Sequence, residues 1–171
     1  MKLVLPSRLH YHSYVSAIEE YEKHGVDTYD FMDVTKYDIF ERFENFKNGK
    51  NLPSGYVKST YLWFVHDEKF IGEASIRHSL TDSLLRFGGH IGYGVRYSEW
   101  NKGYGTIMLS ETLRYARKNL FLDRILITCN DTNIGSARII EKNGGVLQDK
   151  IINVIDGSER LTRRYWIDNN G

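Results

Sequence analysis

The chain has 171 residues, 41% hydrophobic and 26% charged, which suits one globular domain able to bury a core without disulfides or metal. Its formal net charge is +1, with no basic concentration beyond Arg160, Arg163 and Arg164, so a nucleic-acid partner is not expected and that trio reads as a solvated strand face. One cysteine, Cys129, excludes an internal disulfide, and no apolar stretch approaches the ~20 residues that span a bilayer. The opening MKLVLPSRLHYHS turns polar too early for a signal peptide, so a cytoplasmic chain with no membrane partner is expected.

Lys2–Leu5 is a short apolar run stopped by Pro6, and reads as a first strand. Ser7 is placed to cap a helix from Arg8, on which Tyr11, Tyr14, Val15, Ile18 and Tyr21 keep helical spacing until Gly25. A second helix is predicted after Asp33, with Tyr37, Phe40, Phe43 and Phe46 on its apolar side and an end near Asn48–Gly49. Residues 49–59 read as a loop. Thr60–Val65 and Phe70–His78 are β-branched and aromatic runs around an Asp67–Glu68 turn, a predicted hairpin. Ser79–Gly89 reads as a connection, and His90–Arg96 as the next strand.

Gly103–Asn119 has the clearest helical pattern, with Leu109, Leu113, Ala116 and Leu120 on one face. RILITC, from Arg124 to Cys129, has almost no polar face and reads as a central strand. A helix from Asn133 to Asn143 follows, capped by Asn130–Asp131–Thr132 and ended by Gly144–Gly145. Val146–Ile155 and Leu161–Ile167 form a last hairpin about Asp156–Gly157. The order β α α β β β α β α β β predicts a single α/β domain over 1–171. It would hold a mixed sheet of about seven strands with helices on both faces and a locally parallel pair around residues 90–129.

The segment GYGVRYSEWNKGYGTIML (92–109) is a strand, a turn and a glycine-rich helix start. Amides in the first turn of a helix lack intrahelical partners, the dipole adds partial positive charge, and glycines admit a bulky phosphate. Gly103 and Gly105 sit where such a site needs them, and Lys102 adds a cation. A nucleotide P-loop would need Gly-Lys-Ser/Thr, which is absent. A dinucleotide fingerprint would need Gly or Ala at 108, where Met108 stands. A coenzyme A pyrophosphate loop and a plain helix cap both remain.

These motifs resemble the GNAT N-acetyltransferase superfamily. Its first cofactor motif, Arg/Gln-x-x-Gly-x-Gly/Ala, is similar to Trp100-Asn101-Lys102-Gly103-Tyr104-Gly105, with Trp100 and Tyr97 departing from the usual Arg/Gln and Pro. Its second, Asn-x-x-Ser/Ala then Glu-Lys-x-Gly, is similar to Asn133-Ile134-Gly135-Ser136 and Glu141-Lys142-Asn143-Gly144. The resemblance is carried by residues 60–147. It implies a GNAT-like fold that passes acetyl from acetyl-CoA to a small-molecule or peptide amine by direct attack, with a homodimer as a common assembly.

The resemblance further implies that Tyr93, Gly94 and Val95 hold the pantetheine and thioester, and that Lys102, Gly103, Tyr104, Gly105 and Thr106 bind the pyrophosphate. Asn133 and Ser136 would meet the pantetheine from the other side. The tyrosine many members use as general acid falls at Ile140, so the proton carriers must lie elsewhere. His90, with a pKa near working pH, and Glu73 on the preceding strand are the catalytic candidates, and His78 is a third. Cys129 reads as a small core residue, and Tyr61, Trp63 and Phe64 as sheet core. No metal site is expected. Tyr29, Asp30 and Phe31 are candidates for the acceptor pocket, with residues 49–59 and the Asp156 turn as further walls. A non-catalytic acyl-CoA-binding protein is the alternative reading.

Overall fold

A computed structural model describes residues 1–36, 38–155 and 157–170. In chain order the elements are β1 (Lys2–Val4), α1 (Tyr11–His24), α2 (Ile39–Asn48), β2 (Ser59–His66), β3 (Lys69–Arg77), α3 (Asp82–Arg86) and β4 (Ile91–Val95). They continue with α4 (Tyr104–Leu120), β5 (Arg124–Asn130), α5 (Ile134–Lys142), β6 (Val146–Ile155) and β7 (Ser158–Asp168).

The seven strands form two hydrogen-bonded sheets, ordered β1-β2-β3-β4 and β5-β7-β6, with every pairing antiparallel. The expected mixed architecture is present, but the sheet divides between β4 and β5. His90, just before β4, bonds Leu126 of β5, whereas Tyr93 further along β4 reaches Ser136 at the start of α5. The two strands therefore advance in the same direction, as a crossover through α4 requires.

One apolar core runs unbroken under this division. Leu62, Ile76 and Ile91 of the first sheet and Ile125, Ile127 and Tyr165 of the second pack with Leu109 and Ala116 of α4 and Ala137 and Ile140 of α5. Continuous burial holds the sheets together while their backbones part. On the opposite face, Tyr14 and Ala17 of α1 and Ile39 and Phe43 of α2 cover Trp63 and Phe70. Tyr14 stacks on Trp63 at 4.6 Å between ring centroids.

Several boundaries move for local reasons. Ser7 turns its hydroxyl to His10 Nδ1 (3.0 Å) and caps nothing, so Arg8–His10 is a 3-10 turn ahead of α1. The second helix starts at Ile39, not after Asp33. Asp33 folds back on Thr35, accepting its N–H (2.8 Å) and hydroxyl (2.6 Å), while Asp38 accepts the Phe40 and Glu41 N–H groups and caps α2. The connection 79–89 contains the short α3, capped by Thr81. Tyr37 and Asp156, expected in α2 and in the last turn, lie outside the described residues. No helix among the described residues is long and apolar enough to cross a membrane.

Candidate active site

The gap between β4 and β5 is closed at one end. The His90 N–H donates to Leu126 O (2.7 Å), the Leu126 N–H donates to His90 Nδ1 (2.9 Å), and the Gly88 N–H donates to Thr128 Oγ1 (2.8 Å). Along β4, the Arg96 N–H reaches Ile71 O and the Arg77 N–H reaches His90 O, which marks the even positions as those bonded to β3. By strand alternation, Tyr93 and Val95 turn their N–H groups and carbonyls toward β5, into the gap. The Val95 carbonyl is satisfied by the Tyr21 hydroxyl and Trp100 Nε1, both at 2.7 Å. Trp100 thereby replaces the usual Arg or Gln with a fixed cap on the end of β4.

The start of α4 lies just beyond that open end. Gly103 precedes the helix with φ +81°, no side chain caps it, and a Cβ there would meet nothing within 4 Å. Asn101 also has positive φ, at 61°. Successive amides in such a turn form a concave anion site. The Thr106 N–H returns to Gly103 O (3.2 Å), so the amides left for a phosphate are those of the preceding residues. Gly105 has a different reason to be glycine: a Cβ would stand 2.6 Å from Ile139 Cδ1, so its absence lets α4 approach α5. Tyr104 packs on the cluster of Phe64, Ile71 and Met108.

Lys102 is not the free cation expected. Its Nζ lies 3.0 Å from Glu99 Oε2, and Lys69 Nζ lies 2.5 Å from Oε1 of the same buried carboxylate. Burial pulls the Glu99 carboxyl upward, but the two ammonium partners outweigh it and hold it below the ordinary range. The three groups leave one net positive charge beside the loop.

The second motif is built as a helix cap. Asn133 accepts the Ser136 N–H (3.0 Å), and the Ser136 hydroxyl meets the Tyr93 hydroxyl (2.8 Å). Tyr93 therefore bridges from β4 to α5 within the gap. Burial, the largest influence, raises its pKa, so it stays protonated at neutral pH. Ile140 is fully buried core. Cys129 is also buried, and burial pushes its thiol up to about 11, which leaves no thiolate nucleophile.

Glu73 has no solvent exposure and pairs with Gly94 across β3 and β4. Its Oε2 accepts from Trp63 Nε1 and its Oε1 from the Tyr29 hydroxyl, each at 2.8 Å. Burial pushes this carboxyl up to about 7. Tyr29 lies flat on the strand: a methyl on Gly94 would stand 2.6 Å from its Cγ. Of the segment expected at an acceptor pocket, Tyr29 lies against Gly94 and Glu73, with Phe31 packed beside it and Asp30 exposed. Trp63 is core, as read, but its indole also orients Glu73, a double role that hydropathy alone does not reveal.

His90 lacks the geometry of a base. Nδ1 is committed to the Leu126 amide, and burial, then Arg77, lowers its pKa to about 4. It sits at the joined end of the gap and fastens the two sheets. His90→Ala is expected to destabilise the protein by roughly 1–3 kcal/mol, the scale for orphaning a buried N–H, as measured by thermal melting. The same melting temperature in the variant would refute that role. His78 is held by Thr60 (2.9 Å), at the far end of β3 from Glu73. In the basic trio, Arg163 pairs with Asp131 and Arg164 with Asp149, so neither offers a free phosphate contact.

The acetyltransferase (GNAT) domain model matches residues 11–146, most of the chain. The protein belongs to the GNAT acetyltransferase family. It is an N-acetyltransferase, and acetyl-CoA is its cosubstrate. Among solved structures, a ribosomal-protein-S5-alanine acetyltransferase from Vibrio fischeri is 17% identical, with a TM-score of 0.73 over 98% of this chain and 92% of that one. The ribosomal L7/L12 α-N-protein acetyltransferase RimL, solved with coenzyme A, is 14% identical with a TM-score of 0.73 over 98% and 93%. The microcin C7 self-immunity acetyltransferase MccE, solved with acetyl-CoA and AMP, is 16% identical with a TM-score of 0.71 over 97% and 91%. No curated protein matches the sequence significantly.

Proposed function

We propose that this GNAT enzyme acetylates a primary amine by direct attack on acetyl-CoA, with Glu73 as the ultimate proton acceptor. The observation that carries the reading is the gap between β4 and β5, closed at His90–Leu126 and opening toward the uncapped start of α4. The open edge of β4 suits pantetheine and thioester at Tyr93, Gly94 and Val95, and the amides around Gly103 suit the pyrophosphate. The Val95 N–H, turned into the gap, is the donor for the oxyanion that forms as the amine nitrogen bonds the carbonyl carbon.

The amine approaches the thioester beside the Tyr29 hydroxyl, whose ring covers Gly94. As the C–N bond forms, nitrogen passes a proton to the Tyr29 oxygen while the Tyr29 proton moves to Glu73. Collapse of the intermediate breaks the C–S bond, and Tyr93, protonated and inside the gap, supplies the proton to the leaving thiolate. Tyr93→Phe is therefore expected to lower kcat by ~10²-fold with little change in acetyl-CoA affinity. A native kcat in that variant would remove Tyr93 from the reaction. The buried, protonated Cys129 supports direct transfer over an acyl-enzyme, and as the only cysteine it suits a cytoplasmic setting.

The deciding experiment follows thiol release from acetyl-CoA with a panel of amino acids, peptides and polyamines. Amine-dependent release supports the reading. Tight coenzyme A binding without transfer to any amine of the panel would overturn this reading of the acceptor. We also propose a homodimer, supported by the exposed Ile152 and Val154 on edge strand β6; a light-scattering mass near the monomer's 20.0 kDa would overturn it.

A further inference from the structure

Alternate residues of β3 line one face of the first sheet. Glu73, Ser75 and Arg77 follow one another there, opposite Gly94, Gly92 and the turn before β4. Neighbouring positions on that face are about 7 Å apart along the strand. Gly92 has no side chain to keep Ser75 and Arg77 off the strand: a Cβ there would lie 3.2 Å from Ser75 Oγ, a tight contact, and 3.7 Å from both NH1 and NH2 of Arg77. Its three nearest neighbours are all hydrogen-bonding atoms.

Arg77 is half-buried. NH1 donates to the carbonyls of Gly88 (3.0 Å) and Gly89 (3.2 Å), which fixes the guanidinium beside Gly92 and leaves NH2 and Nε without a protein acceptor among the described residues. No carboxylate among the described residues lies within ion-pair distance of it. A partly desolvated cation held without a counter-charge favours an anion that brings one, and a guanidinium fork matches a carboxylate in two places. The Ser75 hydroxyl reaches Gly92 O only weakly, at 3.5 Å, and is available as a further donor.

We infer that Arg77 and Ser75, side by side at Gly92, form a subsite for a carboxylate on the acceptor, and that the acceptor is a small aminocarboxylate. The inference rests on the reading that the amine approaches the thioester beside the Tyr29 hydroxyl. The amine then lies at the level of Glu73 and Gly94, and the carboxylate one repeat away at the level of Gly92. That spacing suits a nitrogen and a carboxylate separated by a few bonds. A polyamine would place a second cation against Arg77.

The test is calorimetric titration of the coenzyme A-loaded protein with the common L-amino acids, each beside its C-terminal amide, and with spermidine. At least one amino acid is expected to bind ~10-fold or more tightly than its amide. Arg77→Gln and Gly92→Ala should each abolish that preference, the second by setting a methyl against the Ser75 hydroxyl and the guanidinium while leaving the Arg77 contacts to the turn intact. The inference fails if no amino acid binds, if amides or spermidine bind as tightly, or if the preference survives in Gly92→Ala. Binding is read apart from turnover. A carboxylate preference without thiol release would keep the subsite and sink the amine-transfer reading, whereas thiol release without the preference would sink the subsite alone.

Discussion

Glu73→Gln is expected to lower kcat/KM by ~10²-fold or more, the scale on which a general base contributes. The replacement is close to isosteric: the amide oxygen still accepts from Trp63 Nε1 and the amide nitrogen donates to the Tyr29 oxygen, so packing survives while proton uptake does not. In the native enzyme the rate should fall below pH about 7, where the buried carboxyl takes up a proton, and that limb should be absent from the variant. A native rate in Glu73→Gln, or an unchanged acid limb, would remove Glu73 from the mechanism.

The same group links stability to pH. Its folded pKa of about 7 lies above its ordinary 4.5, because burial penalises the charged form. The folded state therefore holds the proton more tightly than the unfolded state. The stabilisation is fully present below pH 4.5 and is lost as pH rises through 7, by on the order of 3 kcal/mol. Glutamine does not titrate. The stability of Glu73→Gln relative to native protein should thus rise across that window in denaturant titrations, and a flat difference would contradict the buried-carboxyl account.

Gly103→Glu should abolish the thermal stabilisation conferred by acetyl-CoA. At a ligand concentration ~100 times Kd, binding to the folded state alone is worth about 2.7 kcal/mol, or roughly 5–11 °C for a domain of this size. A glutamate at Gly103 places a negative charge against the pyrophosphate. It also forces an L-residue into φ +81°, which lowers the unliganded melting temperature. Gly103→Ala carries the same backbone strain without the charge, so it should lose baseline stability yet keep most of the shift. A full shift in Gly103→Glu would put the phosphates elsewhere.

The elements were legible where periodicity and caps agree. Leu109, Leu113 and Ala116 announce α4, the apolar run of RILITC announces β5, and Gly103 marks the turn between strand and helix. Local competition was harder to see: Asp33 and Asp38 are equally good caps on paper, and only the contest for nearby amides makes Asp33 a turn and Asp38 the cap. For the site, residue type misled at His90. A free imidazole is a good base, but one hydrogen-bonded to Leu126 and buried is a fastener. The alternation Glu73, Ser75, Arg77 on one strand was open to inspection, and would have placed an acid, a hydroxyl and a cation on one face.

By itself, the chain's order of residues determined seven strands, the main helices and the two glycine-bearing motifs, because each rests on spacing within a few residues. Tertiary structure decided what those residues do. Burial brings Glu73 to about 7 against the hydrogen bonds of Trp63 and Tyr29, while partners drawn from distant elements spend His90 on Leu126 and Lys102 on Glu99. The parting of β4 from β5 belongs to the same class. It arises because one core under α4 and α5 holds two sheets together where their backbones no longer bond, a balance of long-range burial against local pairing that no short stretch of sequence contains.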